Sequence, residues 1–162
     1  MIYYTSFNTP IGEIFVSKTE KGINFITWQK SQWDKYYREN KGRLKEDARK
    51  LESIKNKMTR YFSGKKASLT EKIDLNRGTS LEKKIWRNLQ KIPYGQTRSY
   101  KWLATKVGDK NLARAVGSAC ARNPIPIIIP CHRVIKSDNS LGGFAGGLEK
   151  KRKLLKIEKQ GK

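Results

Sequence analysis

The apolar residues of this chain change their spacing once, and that change limits the fold more than any single motif. Over the first thirty residues they fall in short runs rich in aromatic and β-branched side chains: Ile2 to Phe7, Gly12 to Ser17 and Ile23 to Trp28. Asn8-Thr9-Pro10 and Lys18-Thr19-Glu20-Lys21-Gly22 separate the runs as turn segments, so this part reads as antiparallel β. From residue 47 the spacing becomes helical. Leu51, Ile54, Met58 and Tyr61 recur on one face, and Gly64 follows as a stop. The stretch from Lys65 to Gly78 is polar and reads as a linker.

Beyond it the chain reads as mostly helical. Ser80 is the expected cap of a helix carrying Leu81, Ile85 and Leu89, which stops before Pro93-Tyr94-Gly95. Ser99 is the expected cap of the next, with Tyr100, Leu103 and Val107 on one face and Gly108 at its end. After Asp109 and Lys110, Asn111 is expected to cap another helix, with Leu112, Val116 and Ala119 on one side. Two short helices joined so tightly read as a helix-turn-helix. The fold class is therefore α+β, with an N-terminal sheet-and-helix domain over residues 1–75 and a helical domain with the helix-turn-helix over residues 76–162.

Charge narrows the function. Thirty-six Lys and Arg face fourteen Asp and Glu, a net +22 in 162 residues. Enrichment for thermal stability normally raises Glu alongside Lys, and here Glu lags, so a polyanionic partner such as nucleic acid is expected. On the second of the paired helices Arg114, Gly117, Ser118 and Ala121 share one face, and all but Arg114 are small. Such a face admits close approach of a partner, while a lone arginine on it can enter a groove or stack on bases. A plain packing face would have to bury Arg114 unpaired. No apolar run approaches the ~18 residues of a membrane span. The N-terminus carries no signal-peptide pattern, so a cytoplasmic protein (nucleoid-associated if prokaryotic) is the expectation.

Two cysteines and one histidine exclude much chemistry. Cys120 and Cys131 form no CxxC pair, and no cluster completes a zinc site; neither metal nor cofactor is expected. Cys120 lies four residues after Val116 and reads as an inert core thiol. Cys131 differs: in Ile125-Pro126-Ile127-Ile128-Ile129-Pro130-Cys131-His132-Arg133-Val134 two prolines stiffen an apolar segment that delivers a cysteine beside the only histidine. A thiol becomes nucleophilic on losing its proton, and His132 and Arg133 are the nearby base and cation. On an extended strand, however, adjacent side chains point to opposite sides. Glu158 shares the stripe of Leu154 and Leu155 on a C-terminal helix, and an inward carboxylate needs a partner such as His132. In Leu141-Gly142-Gly143-Phe144-Ala145-Gly146-Gly147 the glycines lack the context of a phosphate loop and suit a tight turn that makes Phe144 a pocket wall.

These residues resemble the O6-alkylguanine-DNA alkyltransferases (methylated-DNA–protein-cysteine methyltransferases). Ile129-Pro130-Cys131-His132-Arg133-Val134, Pro93-Tyr94-Gly95 with Ser99-Tyr100, Ala113-Arg114-Ala115-Val116-Gly117 and Arg122-Asn123-Pro124 carry the likeness. It covers roughly residues 80 to 160 closely, and the first 75 only in outline. The resemblance implies that Cys131 accepts the alkyl group, activated through a water by His132, which Glu158 orients. It implies that Tyr100 helps rotate the nucleotide out and donates to the leaving guanine, that Arg114 fills the vacated stack, and that Asn123 braces the turn to the active site. Ala113, Gly117 and Ser118 would face double-stranded DNA in the minor groove, and Phe144, Ala145, Val134 and Pro126 would line the pocket. The expected partner is DNA carrying O6-alkylguanine, met by a monomer that acts once. Two departures stand out: the zinc ligands of some members are absent, and Phe144-Ala145 replaces the Tyr-Ser of several. A DNA-binding sensor and a multiple-turnover Cys–His thiol hydrolase are the rival readings, separated from this one by covalent label transfer and by stoichiometry.

Overall fold

The structure is a computed structural model that describes residues 1–161; the last residue of the expected second domain, Lys162, lies outside them. The chain divides into two compact units, Met1–Asn76 and Arg77–Lys162.

In the first unit β1 (Ile2–Thr9), β2 (Gly12–Thr19) and β3 (Gly22–Thr27) form an antiparallel meander. A short β4 (Leu44–Glu46) adds to the other edge of β1, in parallel, giving the order β3-β2-β1-β4. The sheet is therefore mixed, because the chain passes through a helix, α1 (Lys30–Glu39), before returning to β1. The sequence pattern did not mark α1. Its buried residues are Trp33 and Tyr36, which close an aromatic cluster with Phe15 and Phe25. Trp33 stacks on Phe15 at 5.0 Å and Tyr36 on Phe25 at 4.2 Å between ring centroids, the offset packing that aromatic quadrupoles favour. The Tyr36 hydroxyl is not lost to the core, since Ser17 and Asn24 hydrogen-bond it. The helix expected from Asp47 begins as a 3-10 turn, Ala48–Leu51, capped by the Asp47 side chain, and continues as α2 (Glu52–Phe62).

Part of the polar stretch read as a linker is docked instead. The Ile23 amide donates to Lys72 O at 2.8 Å, Asp74 N donates to Ile23 O at 2.7 Å, and Thr19 donates to the Asp74 carboxylate. An open edge on β3 leaves backbone groups to pair, and residues 72–74 pair them. The approach is close: a Cβ on Gly22, at φ +146°, would lie 2.3 Å from Lys72 O.

In the second unit α3 (Ser80–Leu89) starts one residue earlier than expected. Thr79, not Ser80, is the cap, and it forms a reciprocal box with Glu82. Its Trp86 indole donates to Ala119 O at 2.8 Å, which fastens α3 to α5 (Ala113–Ala121). Between them α4 (Tyr100–Val107) is capped by Ser99 and ended by Gly108 at φ +145°. Asp109, rather than Asn111, caps the next turn: its carboxylate accepts from Asn111 N, a 3-10 turn spans Lys110–Leu112, and α5 follows from Ala113. Two parallel two-residue strands, β5 (Arg98–Ser99) and β6 (Val134–Ile135), pair Arg98 with Val134 and Ser99 with Ile135. That pairing brings the start of α4 beside the cysteine segment. The long α6 (Leu148–Gln160) closes the unit, with Lys151, Leu154 and Glu158 as its buried stripe. No helix is long and apolar enough to cross a membrane among the described residues.

Candidate active site and nucleic-acid face

The cysteine is delivered by a tightly folded loop. Asn123, just past the end of α5, accepts from Ile125 N at 2.9 Å and donates to Ile129 O at 2.7 Å, so one amide holds both ends. Ile129 N closes onto Ile125 O, and Ile127 sits at φ 77°, a left-handed conformation that a β-branched residue adopts only where its surroundings impose it. Pro130, at φ −81° and ψ 64°, forms an inverse γ-turn that the Cys131 amide closes on Ile129 O at 2.8 Å. Cys131, His132 and Arg133 then form a 3-10 turn. The extended geometry considered from the sequence does not apply until Val134.

The thiol is nearly sealed: Cys131 is 4% exposed and His132 is 0% exposed. Burial pushes the Cys131 thiol up, while the Asn123 amide and the Lys151 ammonium pull it back down. Its resting form is therefore the thiol, and activation must coincide with loss of the proton. His132 Nε2 meets the carboxylate of Glu158, itself 1% exposed. Burial lowers the His132 pKa and the Glu158 contacts oppose that; the ring stays neutral. Burial alone would raise the Glu158 carboxyl, yet the hydrogen bonds and charges of His132 and Arg133 hold it well below the usual carboxylate range. With Glu158 ionised, Nε2 carries the proton of the neutral ring and the lone pair is on Nδ1.

Arg133 was read as a cation for the thiol, and the structure directs it elsewhere. Its Nε donates to Glu158 at 2.7 Å, Nη2 to the same carboxylate at 3.3 Å, and Nη1 to Ile92 O at 2.8 Å. The cation nearest in effect to the thiol is Lys151, which sequence reasoning missed. It is 0% exposed. Its Nζ donates to Leu141 O at 2.6 Å, Val134 O at 2.7 Å, Gly143 O at 3.3 Å and the Tyr100 hydroxyl at 3.4 Å. It also lies 5.7 Å from the Tyr100 ring and 6.0 Å from that of Phe144. One ammonium thus straps the glycine loop, β6 and Tyr100 together. Its signal was its place on the Leu154–Glu158 stripe, hidden in a run of lysines.

Tyr100 lies against the glycine loop so closely that a Cβ on Gly142 would stand 2.9 Å from its ring and hydroxyl. Burial and then the two thiols push its phenol up to about 12, so it remains a donor at neutral pH. Of the expected pocket residues, Phe144 and Val134 reach Lys151; Pro126 is buried in the loop of isoleucines, and Ala145 is exposed. Cys120 departs from the core position expected of it: the residue is partly exposed. Its thiol nevertheless faces desolvated surroundings, and burial together with Cys131 raises its pKa strongly.

The outer face of α5 is open. Arg114, Ser118 and Ala121 are exposed, Ala113 and Gly117 half-buried, and a Cβ on Gly117 would find nothing within 4 Å. Residues 77–162 hold 20 of the 36 Lys and Arg but only 5 of the 14 Asp and Glu, so the charge is concentrated in the unit that carries this face.

Residues 80–160 match the family described as 6-O-methylguanine DNA methyltransferase, DNA binding domain, and residues 2–75 its ribonuclease-like domain. The chain belongs to the 6-O-methylguanine DNA methyltransferase family. A methylated-DNA–protein-cysteine methyltransferase of Methanosarcina barkeri is 44% identical over 161 residues, covering 97% of each chain. The O6-methylguanine methyltransferase of Mycobacterium tuberculosis superposes with a TM-score of 0.85 at 32% identity, over 100% of this chain and 95% of that one. A structure of the protein from the same organism in complex with DNA gives 0.82 at 32% identity, over 97% and 92%. Among the described residues no group of three His, Cys, Asp or Glu side chains is placed to hold a metal ion.

Proposed function

We propose that this protein repairs alkylated DNA by moving the alkyl group from O6 of guanine onto Cys131. The observation that carries the reading is the joining, in one basic unit, of a sealed thiol, a buried His132–Glu158 pair and an open helix face bearing Arg114. A thiol 4% exposed cannot reach a base inside a duplex. The target nucleotide must be turned out of the stack, at a cost of a few kcal/mol. Helices α4 and α5 act as a helix-turn-helix that enters the minor groove, where the small face of α5 allows close approach and Arg114 fills the vacated stack.

In the pocket the thiol proton passes toward the lone pair of His132, through a bridging water, as sulfur attacks the alkyl carbon. The sulfur–carbon bond forms, the carbon–O6 bond breaks, and guanine leaves with the electron pair. Tyr100 donates a hydrogen bond to the guanine as it becomes basic. Asn123 keeps the Cys131 turn in place, Lys151 offsets the thiolate, and Phe144 with Val134 bounds the pocket. A thioether has no leaving group that water displaces at neutral pH, so a monomer acts once. Incubation with duplex DNA carrying a labelled O6-methyl group tests this: label must become covalently bound to the wild type and not to Cys131→Ala, which still binds DNA. Label released to water while the protein stays unmodified would identify a hydrolase.

A further inference from the structure

Glu158 faces two partners that want its charge, and only one of them is always a cation. A guanidinium keeps its charge across the pH range of proteins, and that of Arg133 grips the carboxylate with two nitrogens while Nη1 anchors it to Ile92 O. The Tyr94 ring lies 5.8 Å from the same guanidinium, and Gly95 N donates to Glu158 at 3.1 Å. With Arg133 in place, the buried group of Glu158, Arg133 and a neutral His132 carries no net charge. Protonating His132 would leave a net positive charge in a region with almost no solvent, which is costly. Without Arg133 the balance reverses: a carboxylate beside a histidine is neutral only as carboxylate and imidazolium.

We propose that Arg133 is a positioning residue that keeps His132 in its neutral, proton-accepting form by neutralising Glu158. The reading rests on the transfer reaction proposed above, in which only a neutral His132 can take the thiol proton. The charged and titratable groups facing His132 are Glu158 and Lys151 from α6, Arg133 and Cys131 from its own turn, with Tyr94 acting on Glu158. Arg133 and Lys151 both disfavour a second cation, and Glu158 alone favours one.

His132 is the only histidine of the chain, so imidazole nitrogen NMR reports it without ambiguity and needs no DNA. The wild type gives a neutral ring at pH 7, protonated on Nε2, with a titration midpoint below 6.5. An imidazolium there overturns the proposal without any variant. In Arg133→Met the midpoint rises by about 1–3 pH units, the effect of an unopposed neighbouring carboxylate. Arg133→Lys keeps the midpoint near that of the wild type, and Arg133→Met combined with Glu158→Gln brings it back down. Transfer by Arg133→Met is lost below the raised midpoint, by about tenfold per pH unit beneath it, and recovers at higher pH as the ring loses its proton. A folded Arg133→Met that keeps the wild-type midpoint, or a loss of rate equal at all pH values, shows a merely structural arginine. Failure of the wild type to transfer at all would instead sink the proposed function and leave the NMR result standing.

Discussion

Replacing Lys151 with methionine removes a buried charge while keeping an apolar stem on the buried stripe that Leu154 shares. Two backbone oxygens, Leu141 O and Val134 O, then lose donors at 2.6 and 2.7 Å. Hydrogen bonds to a charged group contribute about 1.5–3 kcal/mol each, so these two come to roughly 3–6 kcal/mol. Against this stands the cost of keeping an ammonium out of water, which is several kcal/mol for a buried ion and is relieved by the substitution. The contacts to Gly143 O and Tyr100 are longer and add less. A thioether cannot satisfy the stranded carbonyls, so with the hydrogen bonds at about 5 kcal/mol and the desolvation at about 3 kcal/mol the balance favours lysine by about 2 kcal/mol. For a chain of this size about 2 kcal/mol lowers Tm by about 4–8 °C, measurable by thermal unfolding at pH 7. Urea unfolding should give the same difference with an unchanged slope. A Lys151→Met protein as stable as the wild type, or more so, would refute the reasoning. It would show that the strap across the glycine loop costs as much in desolvation as it returns in hydrogen bonds.

Arg114→Ala should impair transfer from duplex DNA by about tenfold or more and leave transfer from free O6-benzylguanine, which needs no flipping, near the wild-type rate. Equal losses on both substrates would place Arg114 in the active site or in the fold. Stability should also depend on the single histidine. Its folded pKa lies below 6.5, so below about pH 6.5 the unfolded chain takes up a proton that the folded one refuses. Unfolding free energy should then fall with a slope approaching about 1.4 kcal/mol per pH unit. The Glu158 contribution, from a depressed carboxyl, is present above its unfolded value and is lost only at much lower pH. An unfolding free energy flat between pH 7 and 5 would contradict a buried neutral His132.

The legible parts of the sequence were those in which side chains declare the structure. Strands β1 to β3 followed from short runs rich in aromatic and β-branched residues, and the second unit from apolar residues at helical spacing and from Ser99 and Gly108. What stayed hidden was decided by the backbone or by tertiary charge pairing. Helix α1 was obscured because its core residues are Trp33 and Tyr36 among charged neighbours, a weak helical pattern. Strand β4 and residues 72–74 are held by main-chain pairing on sheet edges, which leaves no side-chain signature. In the site, Cys131 and His132 stood out by chemistry. Lys151 did not, since lysines in a basic helix normally face solvent. For Arg133, sequence proximity to Cys131 cannot show that a carboxylate twenty-five residues later takes its hydrogen bonds.

If transfer runs as proposed, Cys131 is consumed as it works. Intact-protein and peptide mass spectrometry after incubation with excess duplex DNA carrying O6-methylguanine tests it directly. One methyl group per molecule is expected, on the peptide containing Cys131 and not on that containing Cys120, with repair ceasing once every molecule is modified. Continued repair by protein of unchanged mass, or methyl recovered on Cys120 alone, would contradict it.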